Sequence, residues 1–437
     1  MRPSAPWAIL HIDIQEPPKL LDAPQACKRV VMYFRLEGMV VGISHQSPND
    51  FPMSTETILR LASLAIRDNV TLLLKTGLAP IPYHDIHTTL KTRPPYNANM
   101  INELSVLILA QRALKSELTA SIVICTRFRA QDLNVCLASM SEEMTKGRDI
   151  VVVDNGPDPE TEAVVRSYPN VRYVIEPRAG LSRARNKGIL EAYGDVVVFV
   201  DDDVRPEPGW IEPLLASFTP KVDVVCGLVL PDTLEADAQI AFQYDLGFGG
   251  MGYFPIVFDQ DFLDRSSGSP HVWEIGAGAN MAVRRQRVLE LGGFDERIGP
   301  GAAGGCGDDS EYWHRVLYEG GTIIYQPLSV VKHRHRDSWI ELKRQAYGYG
   351  FGHIVALFAQ FGNYHDRRDL KRAFLTLPLW LGERAVKVPY KLLTRKPDRL
   401  IGSWLRGYLG ALAFLPLAFK SAPSQKTIPK RSDSRDM

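Results

Sequence analysis

The chain has 437 residues, long enough for two or three domains at about 150 residues each. Its 51 Lys and Arg against 50 Asp and Glu leave a formal net charge of +1, so no overall field favours nucleic acid as a partner. The five cysteines form no Cys-x-x-Cys pair, which fits a reducing cytosol better than a disulfide framework.

The first segment, residues 1–115, is predicted to be an α+β accessory domain. Its opening apolar stretch is interrupted by His11 and Asp13, which is typical neither of a secretory signal nor of an anchor, so we expect a cytoplasmic location. Apolar runs on both sides of Glu37-Gly38 predict a hairpin. A helix is predicted after Ser54, with Asn69 placed to end it.

The region 119–335 follows a different pattern, in which β-branched runs alternate with helical segments. The runs SIVIC, DIVVVD, VRYVIE, DVVVFVDDD and VDVVCG are almost continuously apolar, which predicts strands buried on both faces of a parallel sheet. The intervening segments are long enough to be the crossover helices that such a sheet requires. Ligands of open α/β sheets bind beyond the carboxyl ends of the strands, so the polar residues there are the candidates for function.

The strongest of these signals is the triplet Asp201, Asp202 and Asp203 at the end of an apolar strand. Adjacent carboxylates repel one another unless a cation neutralises them, and oxygen ligands suit Mg2+ or Mn2+. The alternative is a solvated acidic turn that caps the following helix.

The ends of neighbouring strands carry further candidates. Thr126 and Arg127 follow one strand, and Asp154 and Asn155 close the next. A carboxylate can accept from a base or ribose, and an arginine can pair with phosphate oxygens, so this group suits a nucleotide. Asp-Asn-Gly is also an ordinary turn sequence.

Two helix starts and one pair of histidines complete the candidates. Arg178 and Arg185 flank the start of a helix, where positive charge suits a diphosphate, although a solvated face explains them equally well. The glycine-rich segment before Asp308, Asp309 and Glu311 predicts a loop that closes on a ligand, while helix capping is the competing explanation. Residues His333 and His335 can point to one side of an extended segment and complete a metal shell.

Taken together, the region from Ala120 to His335 resembles the family 2 glycosyltransferases. The resemblance rests on seven ordered stretches: the strand ending Cys-Thr-Arg, VVVDNG, GLSRARNKG, FVDDD, GAGANMAVRR, LGGFDERIG and GDDSEYWHRV. It implies a GT-A fold, an α/β Rossmann-like sheet with helices on both faces. It also implies a nucleotide-diphosphate-sugar donor, a divalent metal (Mg2+ or Mn2+) and inversion at the anomeric carbon.

The resemblance also implies residue roles. Asp309 falls at the position of the catalytic base, with Asp308, Glu311 and Asn280 at the acceptor or sugar pocket. Asp203 corresponds to the metal ligand, Asp201 to a ribose or metal contact, and His333 to the metal-proximal histidine, with His335 as the competitor. The donor contacts that the resemblance implies are Thr126, Arg127, Asp154 and Asp201, and their positions at strand ends and a helix start add Asn155, Arg178, Arg185 and Asp202 to the predicted donor contacts. The first strand continues as Thr-Arg-Phe-Arg, where many members of the family have a Pro-Tyr-Asn type of turn.

The C-terminal part, residues 336–420, is predicted to be helical, and residues 421–437 are predicted to be a disordered tail. Apolar stretches there are mixed with Arg and Lys, which favours attachment to an anionic membrane surface, at the inner face of the cell membrane, over crossing it. Helices packed on the catalytic domain with a solvated basic face explain the pattern equally well. A lipid-linked or glycan acceptor and a role in envelope or exported polysaccharide synthesis would follow from the membrane attachment.

Two other functions compete with sugar transfer. A sugar nucleotidyltransferase would require a glycine-rich phosphate loop after the first strand, which the sequence lacks. A non-catalytic carbohydrate-binding or scaffold protein would not need both the Asp201–Asp203 triplet and Asp309. No Gly-x-Gly-x-x-Gly fingerprint of a dehydrogenase follows any predicted strand.

Overall fold

A computed structural model describes residues 4–92, 94–248, 251–387 and 399–418. The predicted tail, 421–437, lies outside the described residues, as do Lys391, Arg395 and Lys396 of the basic C-terminal set.

The N-terminal region is built as expected around a hairpin and a helix. Strand Arg29–Leu36 pairs antiparallel with Met39–Gln46 and parallel with Trp7–Asp13, which confirms the predicted hairpin. The helix begins where Ser54 Oγ accepts a hydrogen bond from the amide of Thr57 and ends at Gly77 in a left-handed conformation. The prediction that Asn69 ends this helix was wrong, because its side chain donates to Val41 O at 2.9 Å from within the helix.

The large sheet has ten strands, and its central part is parallel. Strands Val196–Asp201, Ala120–Thr126, Asp149–Asp154 and Val171–Ile175 lie side by side in that order, all parallel. Beyond them the sheet is mixed, because Asn280–Arg284 runs antiparallel to both of its neighbours. The remaining strands are Ile81–Pro82, Val204–Pro206, Val222–Pro231, Ile256–Phe258 and Thr322–His333, with the short pair Leu20–Leu21 and Met53–Ser54 apart from the sheet.

Helices cover both faces of this sheet and enclose two large apolar clusters, one on each side. The α-helices before residue 337 are Thr55–Thr76, Ile86–Lys91, Met100–Arg112, Ala130–Ser139, Ser141–Thr145, Pro159–Arg166, Leu181–Glu191, Ile211–Ala216, Asp237–Asp245, Gln260–Asp264, Arg285–Glu290 and Asp308–Tyr318. Short 3-10 turns occupy Pro48–Asp50, Tyr83–Asp85 and Val272–Glu274. The layered α/β architecture predicted for this region is confirmed.

The N-terminal strands share a core with the large sheet. Strand Ile81–Pro82 pairs with Ile256–Phe258 and forms the edge of that sheet. Two hydrogen bonds of 2.7 Å join the guanidinium of Arg35 to the carboxylate of Glu207, just after the acidic triplet. The segments before and after the predicted boundary at residue 115 are therefore joined by a shared apolar core and by the ion pair of Arg35 with Glu207.

The C-terminal region consists of helices Trp339–Tyr364, Arg367–Lys371, Leu377–Val386 and Ile401–Ala418, with a π-helical turn at Arg372–Thr376. The long helix Trp339–Tyr364 packs on Asp308–Tyr318 on one side and on Ile401–Ala418 on the other. Within the described residues, no helix is both long and apolar enough to span a bilayer.

Candidate active site

The acidic triplet lies at the carboxyl end of the central strand, as predicted, but its three side chains take different directions. Asp202 is buried: its Oδ2 accepts from Thr126 Oγ1 at 2.8 Å and its Oδ1 from Arg129 Nη1 at 2.7 Å. Burial raises the pKa of the Asp202 carboxyl to about 7, against the opposing charge of Arg129. Thr126 and Asp202, both predicted donor contacts, thus join two strand ends and are not presented to a ligand.

Asp203 lies between Arg129 and the end of the strand Thr322–His333. Its Oδ2 accepts from Arg129 Nη1 at 2.9 Å, while its buried Oδ1 has no hydrogen-bond partner. This oxygen lies 3.3 Å from His333 Nε2. Backbone pairing of Val204 with His333 brings the two side chains together, so the contact is a consequence of strand register.

The two histidines form a chain of hydrogen bonds that defines which nitrogen faces Asp203. His335 Nε2 lies 2.8 Å from Gln243 Oε1, an oxygen that can only accept, so His335 carries its proton on Nε2. Burial lowers the pKa of His335 to about 2, so its Nδ1 is an acceptor. His333 Nδ1, 2.8 Å away, must then donate, which leaves His333 Nε2 with a lone pair when the ring is neutral.

The pair Asp203 Oδ1 and His333 Nε2 fits a divalent cation, because an oxygen without a partner and a nitrogen lone pair face the same point. No group of three or more His, Cys, Asp and Glu side chains among the described residues is arranged to hold a metal ion. The protein would therefore supply two side-chain ligands here. Asp201, the third predicted ligand, has a side chain about one third exposed, and its Oδ1 lies 3.7 Å from Arg185 Nη2.

The second group of carboxylates, Asp308, Asp309 and Glu311, lies at the start of the helix Asp308–Tyr318. Its first member, Asp308, is buried against Arg185. Arg185, itself buried, donates to Asp308 Oδ2 at 2.5 Å, so neither side chain is free to contact a diphosphate. Burial raises the pKa of Asp308 to about 6. Through its contacts with Asp308 and Asp201, Arg185 links the helix start to the acidic triplet.

Asp309 is the accessible carboxylate of this group. It is half-buried, and its oxygens accept from the amides of Gly278, at 3.1 Å, and Ser310, at 2.7 Å. Among the described residues it forms no ion pair. An oriented carboxylate of this kind is suited to accept a proton from a hydroxyl.

Two predicted pocket residues are turned into the core. Glu311 is fully buried in an ion pair with Arg315, whose guanidinium also donates to Leu291 O and Gly293 O. Asn280 is fully buried too and donates through Nδ2 to Leu228 O and Ser329 O, both at 3.2 Å. The structure corrects the prediction for both: neither lines a pocket, because each satisfies buried polar groups of the fold.

The predicted nucleotide contacts likewise include buried side chains, which bond to the fold, and exposed side chains. Asp154 is buried and accepts from Tyr173 Oη at 2.7 Å, and Asn155 cross-links its loop through Glu176 O and Arg178 O. The side chains of Arg127 and Arg178 are exposed, although Arg178 also pairs with Glu176. Only these two arginines of the predicted set are presented to solvent.

One residue of the site was missed by the sequence analysis. Arg129 pairs with Asp132, Asp202 and Asp203, so one guanidinium partly neutralises two of the three carboxylates of the acidic triplet. The signal was the unusual Thr-Arg-Phe-Arg continuation of the first strand, in which Arg129 stands three residues before Asp132 at the start of a helix.

Comparison with known proteins is consistent with this geometry. Residues 121–238 match the family described as Glycosyl transferase family 2. A pre-mycofactocin glycosyltransferase of Mycobacterium tuberculosis is 27% identical over 234 residues, which cover 51% of this chain and 45% of the relative. A glucosyl-dolichyl phosphate glucuronosyltransferase of Haloferax volcanii is 26% identical over 236 residues, 49% of this chain and 68% of the relative. This chain thus spans about half the length of the first of these relatives.

Among solved structures, the mannosyltransferase PcManGT from Pyrobaculum calidifontis in complex with GDP-Man and Mn2+ aligns with a TM-score of 0.46 at 16% identity. The alignment covers 69% of this chain and 88% of that one.

Proposed function

We propose that this chain is an inverting glycosyltransferase that moves a sugar from a nucleotide-diphosphate-sugar donor to a hydroxyl acceptor. The observation that carries the proposal is that Arg185 links the helix start bearing the accessible carboxylate Asp309 to the acidic triplet, in which Asp203 Oδ1 has no hydrogen-bond partner and lies 3.3 Å from His333 Nε2. The match of residues 121–238 to a glycosyltransferase family supports the same reaction class.

In this proposal Asp309 is the general base. Its two backbone hydrogen bonds orient the carboxylate, and it is free to take the proton of the acceptor hydroxyl as the new bond forms. Arg185 keeps the preceding Asp308 in place and so positions the helix on which Asp309 stands.

The donor would lie across the acidic triplet. Asp203 and His333 would hold Mg2+ or Mn2+, which supplies positive charge for the departing diphosphate. Asp201 remains the candidate for a ribose or additional metal contact, and Arg127 and Arg178, which are exposed, would pair with phosphate oxygens.

For the acceptor we propose a glycan or a lipid-linked sugar, in envelope or exported polysaccharide synthesis. The C-terminal helices expose large apolar side chains, among them Phe374, Leu375, Leu379 and Trp380. Such a surface beside basic residues fits peripheral attachment to an anionic membrane from the cytoplasmic side. Flotation with anionic vesicles tests this part, and recovery of the protein only in the soluble fraction would contradict it.

The donor site is tested by thermal shift and calorimetry with UDP-, GDP- and dTDP-sugars, each with Mn2+, Mg2+ or neither. We expect metal-dependent stabilisation by one donor class that is lost in Asp203→Ala. Stabilisation by no nucleotide-sugar would favour a scaffold protein instead. Formation of a nucleotide-sugar from sugar phosphate and nucleoside triphosphate would favour a nucleotidyltransferase.

A further inference from the structure

Outside the acidic centre, one arginine lies in a built aromatic cluster. Arg372, on the π-helical turn Arg372–Thr376, stacks over the ring of Trp273, with 4.0 Å between the guanidinium carbon and the ring centroid. Its Nε donates to His353 Nε2 at 2.9 Å and its Nη1 to His271 Nε2 at 3.2 Å. The rings of both histidines also contact Trp273, with centroids 4.6 and 4.8 Å away. We call Arg372, Trp273, His271 and His353 the Arg372 cluster.

The partners of this arginine do not neutralise it. A guanidinium can only donate, so both imidazole nitrogens accept and carry lone pairs. Burial, reinforced by the charge of Arg372, lowers the pKa of His353 to about 3, which keeps that ring neutral. The other nitrogen of His271, Nδ1, faces Glu274 Oε1 at 3.2 Å, so the nearest acid is one ring away from Arg372.

The half-buried Arg372 differs from the buried arginines Arg185 and Arg315 in its lack of a carboxylate partner. Arg185 and Arg315 each pair directly with a carboxylate, at 2.5 and 2.7 Å. Arg372 has no carboxylate oxygen within 4 Å among the described residues, and burial lowers its pKa to about 10. Its Nε and Nη1 donate to the two histidines, whereas its Nη2 has no hydrogen-bond partner in the described part of the chain. Nη2 can therefore donate to an anion.

The Arg372 cluster is linked by packing to the segments on both sides of Asp309. The turn Val272–Glu274, which carries Trp273, packs on the helix Asp308–Tyr318 and leads within four residues to Gly278, whose amide holds Asp309. On the other side, His353 follows Gly352, where any side chain would overlap the backbone of Cys306. Both contacts tie the cluster to the segment that delivers Asp309.

Exposed apolar side chains continue from the same turn. Phe374 and Leu375 directly follow Arg372 and its neighbour Ala373, and their surfaces are 57% and 50% exposed. Leu379 on the next helix is 64% exposed. A positively charged guanidinium at the edge of an apolar surface is complementary to a ligand with an anionic head and an apolar chain.

We propose that Arg372 binds a phosphate group of the sugar acceptor and that the apolar chain of the same acceptor lies on Phe374, Leu375 and Leu379. This inference rests on the proposed function, because only a glycosyltransferase would use the bound ligand as a sugar acceptor. A guanidinium with free donors pairs with two phosphate oxygens at once, and Trp273 supports its planar face during this contact. An acceptor held here would contact a cluster whose turn, Val272–Glu274, packs on the helix that bears Asp309.

Calorimetric titration of the full chain with dodecyl phosphate tests this inference. Dodecyl maltoside supplies the same chain with a neutral head, and inorganic phosphate supplies the head without a chain. We expect Arg372→Gln to weaken dodecyl phosphate binding by about tenfold or more, and Arg372→Lys to restore part of it. Lys371→Gln is the matched control, because it removes an exposed positive charge one residue away and should change binding less than about twofold.

Three outcomes decide the inference. Equal binding of dodecyl phosphate by wild type and a folded Arg372→Gln protein overturns it, as does equal affinity for dodecyl phosphate and dodecyl maltoside. Binding of inorganic phosphate with the same dependence on Arg372, and no gain from the chain, assigns the site to a free phosphate and removes the lipid part.

The same variants separate this inference from the proposed function. Nucleotide-sugar binding should be unchanged in Arg372→Gln, because Arg372 has no contact with the acidic triplet. Loss of dodecyl phosphate binding with normal donor binding supports both proposals. Arg372-dependent phosphate binding in a protein that binds no nucleotide-sugar would retain the anion site and reject the transferase.

Discussion

His333 and His335 share a hydrogen bond of 2.8 Å between their Nδ1 atoms, and this bond orients the opposite nitrogen of His333 towards Asp203. Because His335 is in turn tied to Gln243, the orientation depends on a residue more than 90 positions away in sequence. The histidine pair therefore consists of one residue that faces the site and one that orients it.

We expect His335→Ala to weaken Mn2+ binding by about 10- to 100-fold, because the ring of His333 loses its orienting partner. Calorimetric titration of Mn2+ measures the effect, and His333→Ala should lose more than His335→Ala does. His87→Ala, at an exposed histidine on the helix Ile86–Lys91, is the control. Equal Mn2+ affinities of wild type and His335→Ala would refute the role of His335 in orienting the His333 ring.

The Asp309→Asn substitution should reduce sugar transfer by about 10²- to 10⁴-fold, because the amide cannot accept the proton of the hydroxyl. Metal-dependent donor binding should stay close to that of wild type. Turnover with a matched nucleotide-sugar measures the first effect and calorimetry the second. Asp264→Asn on the protein surface is the control, and normal turnover in Asp309→Asn would remove Asp309 from the role of base.

The buried ion pair of Glu311 and Arg315 gives a prediction about stability. Arg315→Met leaves the fully buried Glu311 without its partner, which should lower the free energy of unfolding by about 3–5 kcal/mol. The exposed pair of Glu162 and Arg166 has the same spacing, and Arg166→Met should cost less than about 0.5 kcal/mol. Urea unfolding of both variants makes the comparison, and similar losses would contradict the importance of burial.

Asp369 gives a prediction about pH. Its Oδ1 accepts from Ser269, its Oδ2 is buried without a partner, and burial raises the pKa of this carboxyl to about 7. Since an unfolded Asp titrates near 4, the folded protein binds the extra proton between about pH 4 and pH 7. Stability from this group is present below that interval and is lost as the pH rises through it.

The Asp369→Asn substitution should remove this loss. The variant should gain about 2–4 kcal/mol over wild type at pH 8 and little at pH 4, as measured by urea unfolding at each pH. Asp264→Asn should show no such trend. A constant difference between Asp369→Asn and wild type over this range would show that Asp369 is not protonated in the folded state.

Much of the large sheet and the positions of Asp203 and Asp309 in the fold were predictable from local sequence. Apolar runs that end in Asp, or helices that begin with Asp, locate Asp203 and Asp309 because strand ends and helix starts are decided by neighbouring residues. The direction of Asn280–Arg284 was not predictable, because burial produces the same apolar run in parallel and antiparallel strands.

By itself, then, the sequence indicated the N-terminal hairpin, five strands of the large sheet and the acids that follow two of those strands, since these depend on hydrophobic periodicity and short-range spacing. Tertiary structure alone decided which of the polar residues are buried and which are accessible. Asn280 bonds backbone oxygens 52 and 49 residues away, and Arg185 meets Asp308 across 123 residues. Burying a polar group costs free energy unless it is paired, and the fold supplies partners for the buried side chains of Asn280, Asp202 and Glu311, whereas Asp309 stays partly accessible at the start of its helix.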